Sequence, residues 1–311
     1  MGQVGDVGMT TAYLAAEGFE RELDDELARA GVTVDLHHGR LRISESRPVH
    51  AAWAANIWWD AERIAVTSIG DAAKALRRRQ RNWALYAPEH RGRAQLIADK
   101  LPYVSARPLE LGEVAPDAPL GSWTLLEREL VLAARDCSNP FPNGVPGFVE
   151  DRDGPPSRAY LKLWETFARL RRQPGPGERC LDLGAAPGGW TWLLARSGAE
   201  VTAVDRAPLA PEVADLPNVT WQRGSAFGLD PADVGPVDWW CSDIIAYPHR
   251  LLELVTRWLN SGRVRNLVCT VKFQGVTDHD VAARFADLPG AQLFHLSQNK
   301  HELTCVVLDA A

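Results

Sequence analysis

The run Leu181-Asp182-Leu183-Gly184-Ala185-Ala186-Pro187-Gly188-Gly189-Trp190 decides how this chain is read. Two leucines flank an acid, as in a short buried strand, and small residues and glycines then open a helix. A second strand-like run, Val201 to Val204, ends in Asp205 about twenty residues later. That order places a nucleotide-type ligand at the carboxyl ends of parallel strands. Gly184 reaches backbone angles closed to other residues and lets a ligand come close. Pro187, Gly188 and Gly189 set a helix N-terminus beneath the site, where free N–H groups favour a carboxylate. Ionised Asp182 accepts from an ammonium, and Asp205 accepts from both hydroxyls of a ribose. No Lys-Ser/Thr follows the glycines, which excludes a P-loop. A third spaced glycine is missing and Pro187 intrudes, which disfavours a dinucleotide. S-adenosylmethionine has the required carboxylate, ammonium and ribose.

Outward from this run the pattern alternates. Strands are expected at 180–183, 201–205, 219–222, 237–241 and 266–271, with helices at 189–197, 248–259 and 281–288. The last two strands, 292–296 and 303–308, are separated by a connection too short for a crossover helix, so they pair antiparallel. Short apolar strands between helices make a parallel sheet covered on both faces. The expected α/β fold is therefore a Rossmann-like, seven-stranded, mostly parallel sheet with a terminal antiparallel hairpin. Upstream, Ser157 is a fair N-cap for a helix over 157–170.

Residues 1–110 read as a small α/β domain whose order of strand, helix, strand, strand is that of a ferredoxin-like half. Its expected pieces are a strand at 13–16, a helix at 19–29, a hairpin at 32–36 and 40–43, a strand at 64–68 and a helix at 71–79. Residues 111–156, rich in proline and glycine, read as linker and ordered loop. The second domain then covers 157–311.

Composition limits the function. Hydrophobic residues at 46% and charged residues at 24% describe a folded chain with a sizeable core. The net charge of −6 does not advertise a nucleic-acid binder, although a local basic patch can act within an acidic protein. The five cysteines show no CxxC spacing, so no disulfide framework or cysteine-built zinc site is expected, and the compartment is reducing. The N-terminus lacks the pattern of a signal peptide, Asp6 argues against acylation of Gly2, and no apolar run could span a membrane. A cytoplasmic location is expected. Twelve tryptophans are compatible with base stacking as well as with core packing.

Several pieces, in this order, carry a resemblance: Pro156-Ser157-Arg158-Ala159-Tyr160-Leu161-Lys162-Leu163, Asp182 to Trp192, Ser242-Asp243, Val271-Lys272 and His301-Glu302-Leu303-Thr304. Over residues 137–311 the chain resembles the FtsJ-like ribose 2′-O-methyltransferases, most closely the RlmM-like family acting on bacterial large-subunit rRNA. The resemblance implies S-adenosylmethionine as cofactor, RNA, chiefly rRNA, as partner, and a catalytic tetrad of Lys162, Asp243, Lys272 and Glu302. It implies cofactor contacts at Asp182, Gly184, Ala185, Pro187, Gly188, Gly189, Trp190, Asp205 and Asp243. Where the family has an acid against the adenine amino group, this chain has Gly224-Ser225-Ala226-Phe227. Ser225 offers one hydrogen bond there, with Ala226 beside it and Phe227 packed on the adenine. The family also has a longer N-terminal region with a THUMP domain, so a shortened docking module is expected here.

The chemistry needs these residue types. A ribose hydroxyl is a weak acid and must lose its proton as it attacks the sulfonium methyl. A lysine held neutral takes that proton, and a second one stabilises developing alkoxide charge. Lys272 suits the first role and Lys162 the second, with Asp243 orienting the lysine and Glu302 anchoring Lys162 or the ribose; the sequence does not decide which lysine is the base. No metal is called for, because the leaving group departs as a neutral thioether. A basic cluster of Lys74, Arg77, Arg78, Arg79 and Arg81 runs on through Trp83 and Tyr86, and Arg158 lies beside Lys162; these are the candidate RNA contacts. DNA and membrane are not expected partners, and the oligomeric state is left open. Two other readings stand beside this one: methylation of another RNA class or a small molecule, and a non-catalytic RNA-binding or ribosome-assembly factor.

Overall fold

The computed structural model describes residues 10–310. Gly2 and Asp6, which bear on acylation, lie outside them. The chain divides into two compact units, Met1–Pro108 with Ala115–Gly147, and Leu109–Val114 with Phe148–Ala311.

The first unit runs β1 (Thr11–Ala15), α1 (Glu20–Arg29), β2 (Leu36–His38), β3 (Leu41–Ser44), β4 (Ala54–Trp59), β5 (Glu62–Ala65), α2 (Ile69–Arg79), β6 (Trp83–Leu85), α3 (Arg91–Ala98), β7 (Gly121–Glu127), β8 (Leu130–Ala134) and β9 (Asp136–Cys137). One sheet has the order β2-β3-β1-β4-β9 and is antiparallel throughout. Its β1-α1-β2-β3 portion, with β3 between β1 and β2, is the expected ferredoxin-like half. No helix separates β3 from β4, so the other half is not built. A second sheet, β5-β8-β7-β6, goes beyond the expected pieces. Strands β7, β8 and β9 all lie inside 111–156, the stretch read as linker and loop. Leu125, Val131 and Ala133 there join Leu76, Trp83 and Ile97 in one core, so the apolar alternation of 121–134 outweighs the prolines around it.

The second unit runs α4 (Tyr160–Leu170), β10 (Arg179–Leu183), α5 (Gly189–Arg196), β11 (Glu200–Asp205), α6 (Pro211–Ala214), β12 (Val219–Arg223), α7 (Pro231–Val234), β13 (Val237–Ser242), α8 (Pro248–Asn260), β14 (Val264–Lys272), α9 (His279–Ala286), β15 (Ala291–Phe294) and β16 (Glu302–Val307). Its sheet has the order β12-β11-β10-β13-β14-β16-β15. The first five strands are parallel, and β16 lies antiparallel to both β14 and β15. This is the expected seven-stranded sheet with its terminal hairpin. The chain reverses its winding between β10 and β13, and their carboxyl ends open the crevice where α/β sheets bind ligands.

Ser157 is not the N-cap of α4. Ala159 stands there, while the Ser157 hydroxyl lies against the Cα of Gly189, where any side chain would collide with it. Tryptophan serves mainly the core: Trp53, Trp58, Trp123, Trp164, Trp239, Trp240 and Trp258 are all fully buried. All five cysteines are free thiols. No helix of the described residues is long and apolar enough to cross a membrane.

Candidate active site

Four side chains from four different elements meet at the carboxyl edge of the second unit's sheet. Lys162 sits in the first turn of α4, Asp243 follows the last residue of β13, Lys272 ends β14, and Glu302 begins β16. The Lys162 Nζ lies 2.7 Å from Glu302 Oε1 and 3.4 Å from each oxygen of Asp243. The Lys272 Nζ lies 2.9 Å from Asp243 Oδ1 and donates to the Asp243 carbonyl at 2.5 Å. Sheet register explains part of this convergence, because Lys272 and Glu302 are directly paired across β14 and β16. All four side chains are largely shielded, at 8–19% exposure, so their mutual attraction is screened less than that of surface pairs. Asp243 bridges the two lysines, leaving two ammonium-type groups and two carboxyls in one constellation.

Beside it, β10 and β11 present the predicted cofactor residues. Asp182 is buried and accepts from the Thr191 hydroxyl at 2.6 Å. Burial, and secondarily the nearby Asp243 and Asp205 charges, push its carboxyl up to about 7 despite the Thr191 bond. Such a group calls for a cation. Asp205 accepts the backbone N–H of Ala186 (3.1 Å) and of Ala207 (2.9 Å), one on each oxygen. Each oxygen keeps a second lone pair, sufficient for a hydroxyl. Gly188 caps α5, and the first-turn N–H groups of Gly189, Trp190 and Thr191 have no intrahelical partner. The donors, the buried acid and the Asp205 carboxylate thus fit the carboxylate, ammonium and ribose of S-adenosylmethionine.

Two expected contacts are different in kind. Gly184 has φ +73°, but the space beside its Cα belongs to Ile244, which a Cβ would overlap. The glycine lets the loop after β13 close over the turn after β10. Trp190 is 3% exposed and its indole N–H donates to the Ala159 carbonyl at 2.9 Å, so its side chain pins α5 to the start of α4 instead of facing a ligand. Ala185 is buried, and the Pro187 carbonyl accepts from Ala210 N. Ser225 and Ala226 lead into a short 3-10 turn over Ala226–Gly228. The Phe227 ring carries the Arg250 guanidinium 4.3 Å from its centre, so one of its faces is taken.

The candidate RNA contacts separate into used and available groups. Arg79 is bound by two hydrogen bonds to Glu62 (2.9 and 2.7 Å), and Trp83 is buried with its N–H on the Leu76 and Gln80 carbonyls. Lys74, Arg77, Arg78 and Arg81 are exposed. Arg158 pairs with Glu150 at 2.8 Å yet stays 73% exposed, beside a surface cavity of about 490 Å³ lined also by Asp151, Arg152 and Ser157. Thr191, Ile244 and Arg250 are additions that the sequence pattern does not single out. Thr191 stands two residues into a helix that follows an acid-bearing strand, a position from which a hydroxyl faces back to that acid.

Residues 155–274 match the sequence model of the FtsJ-like methyltransferase family. The match lies wholly within the second unit and makes that stretch similar to the FtsJ-like methyltransferases. The chain is similar to the ribosomal RNA large subunit methyltransferase M of Halorhodospira halophila, 44% identical over 135 residues that cover 42% of this chain and 39% of that one. It is 38% identical to the protein of the same name from Xanthomonas oryzae over 149 residues, 46% of this chain and 42% of that one. Against the Azotobacter vinelandii protein it is 35% identical over 196 residues, 57% of this chain and 54% of that one. The chain spans about half or less of the length of these curated relatives.

Proposed function

We propose that this protein transfers a methyl group from S-adenosylmethionine to a ribose 2′-hydroxyl of RNA in the cytoplasm, with large-subunit rRNA as the substrate class. The observation that carries the reading is the meeting of Lys162, Asp243, Lys272 and Glu302 within hydrogen-bond distance, beside a buried acid and a helix N-terminus suited to the methyl donor. The cofactor supplies an electrophilic methyl on a sulfonium, with a neutral thioether as leaving group.

The rest falls to the protein. Lys272 Nζ, oriented by the carboxylate and carbonyl of Asp243, first gives up its own proton to solvent and then, as the neutral amine, takes the proton from the 2′-oxygen as it attacks. Lys162 Nζ, held between Glu302 and Asp243, donates to the developing alkoxide. Asp182 and Asp205 fix the donor so that oxygen, methyl and sulfur lie in line, which removes much of the entropic barrier. Exposed Lys74, Arg77, Arg78 and Arg81 on the first unit, and Arg158 on the second, meet the RNA phosphates. The test is transfer of labelled methyl from S-adenosylmethionine to purified rRNA and to ribosomal particles, followed by nucleoside analysis. Label in a 2′-O-methylnucleoside supports the reading; label on a base, or none on any RNA, refutes it.

A further inference from the structure

Glu165 lies one helical turn beyond Lys162 on α4, at the i+3 spacing that puts both on one face. It is 2% exposed, a rare place for a carboxylate. Its oxygens accept from the Ser297 backbone N–H at 2.7 Å, from the Ser297 hydroxyl at 2.7 Å and from the Gln298 N–H at 3.2 Å. Ser297 and Gln298 belong to the connection between β15 and β16, whose next element opens with Glu302. The same helix is therefore joined twice to the segment 297–302, by Lys162 with Glu302 at the reacting edge and by Glu165 with Ser297 and Gln298 one turn further along α4.

Further hydrogen bonds close the connection on itself and tie it to β16. His295 Nε2 lies 3.0 Å from the Lys300 carbonyl, Asn299 Nδ2 donates to Thr304 Oγ1 at 3.2 Å, and Glu302 N donates to the Lys300 carbonyl at 2.9 Å. Arg169, one turn further along α4, is half-buried with its guanidinium 4.1 Å from the centre of the Phe294 ring at the end of β15. Burial pushes the Glu165 carboxyl up to about 7, against three donors and the Arg169 charge. An apolar residue in its place would leave the Ser297 and Gln298 N–H groups without this acceptor.

We propose that Glu165 is a positioning residue: it anchors the β15–β16 connection to α4 and so sets Glu302 against Lys162. The proposal rests on the reading that these two groups serve methyl transfer.

The experiment compares the full chain with Glu165→Gln, Glu302→Gln and the double variant, below the unfolding temperature of each. Single-turnover transfer to rRNA and backbone amide exchange are both recorded. Glu165→Gln is expected to slow transfer about tenfold with cofactor affinity unchanged, and the double variant to be no slower than Glu302→Gln alone, because one residue acts through the other. Amide exchange at Ser297 and Gln298 is expected to rise about tenfold. A wild-type rate in Glu165→Gln, losses that multiply in the double variant, or unchanged exchange at Ser297 and Gln298 would overturn the proposal. If Glu165→Gln does not fold, Ser297→Ala removes one donor only; it should slow transfer about two- to threefold, again without adding to Glu302→Gln, and additivity there would overturn the proposal. A wild-type chain inactive on RNA would refute the methyl-transfer reading instead, while the exchange comparison would still decide the anchorage.

Discussion

Asp182 is a buried acid whose carboxyl titrates near neutrality until a cation arrives. Below about pH 7 the free site holds a proton that the cofactor ammonium must displace, so affinity should rise with pH and level off above it. The expected slope approaches tenfold per pH unit on the acid side. Calorimetric titration of S-adenosylmethionine from about pH 5.5 to about pH 8, either side of that value, should show this rise together with proton release, and Asp182→Asn should abolish both. A flat affinity profile in the wild type would exclude the role. For Lys272, transfer should fall about 10²–10⁴-fold in Lys272→Ala, with cofactor affinity within about twofold of wild type. A matching loss of cofactor binding would make Lys272 structural. At this scale the sequence was informative where a charged residue ends an apolar run, as Asp243 and Lys272 do. It said nothing of the Thr191 bond or the Glu165 clamp, since both depend on which face a helix turns inward.

Among the elements, α2 divides its basic residues by function. Ser68 caps it by accepting from Asp71 N, and its inward face buries Ala72, Ala73, Ala75 and Leu76. Arg79 is committed to Glu62, while Arg77 and Arg78 face solvent. Replacing Arg77 and Arg78 together by Ala should weaken RNA binding and lower the salt slope by about 0.7–0.9 for each phosphate the pair neutralises; Arg79→Ala should leave the slope in place. Filter binding across a salt series decides this, and a slope unchanged by the double replacement would remove α2 from the footprint. Four of the five parallel strands of the second unit were legible because each is a short apolar run between helices; Val219–Arg223, largely exposed, follows from the alternation around it. Strands β4, β6, β7, β8 and β9 were not. Ala54–Trp59 is buried along almost all its length and shows no alternation, and β6 is only three residues long. The partners of β4, β6 and β9 lie far along the chain, and local pattern carries no record of such pairing, whereas β7 and β8 form a hairpin whose alternation is masked by the prolines around it.

Among the described residues, three carboxyls, the buried Glu165 and Asp182 and the half-buried Glu26, have their pKa pushed up to about 7, chiefly by desolvation. Each folded value lies above its ordinary value of 4.5 or 3.8, so the folded chain keeps protons that the unfolded chain has lost. Their contribution favours folding fully below the unfolded values and declines as pH rises through about 7, by at most about 1.4 kcal/mol per pH unit for each group. Cofactor-free protein should therefore unfold at a lower temperature at about pH 8 than at about pH 6, and Asp182→Asn should flatten that trend. A transition that moves upward with pH in both proteins would contradict it. The central claim, that two lysines and two acids from distant parts of the chain form one methyl-transfer centre for RNA ribose, is tested most directly by a single assay. Purified protein is incubated with rRNA and methyl-labelled S-adenosylmethionine, and the RNA is digested to nucleosides. The account predicts label in a 2′-O-methylnucleoside for the wild type and none for Lys272→Ala; label on a base, or equal 2′-O labelling by both proteins, would contradict it.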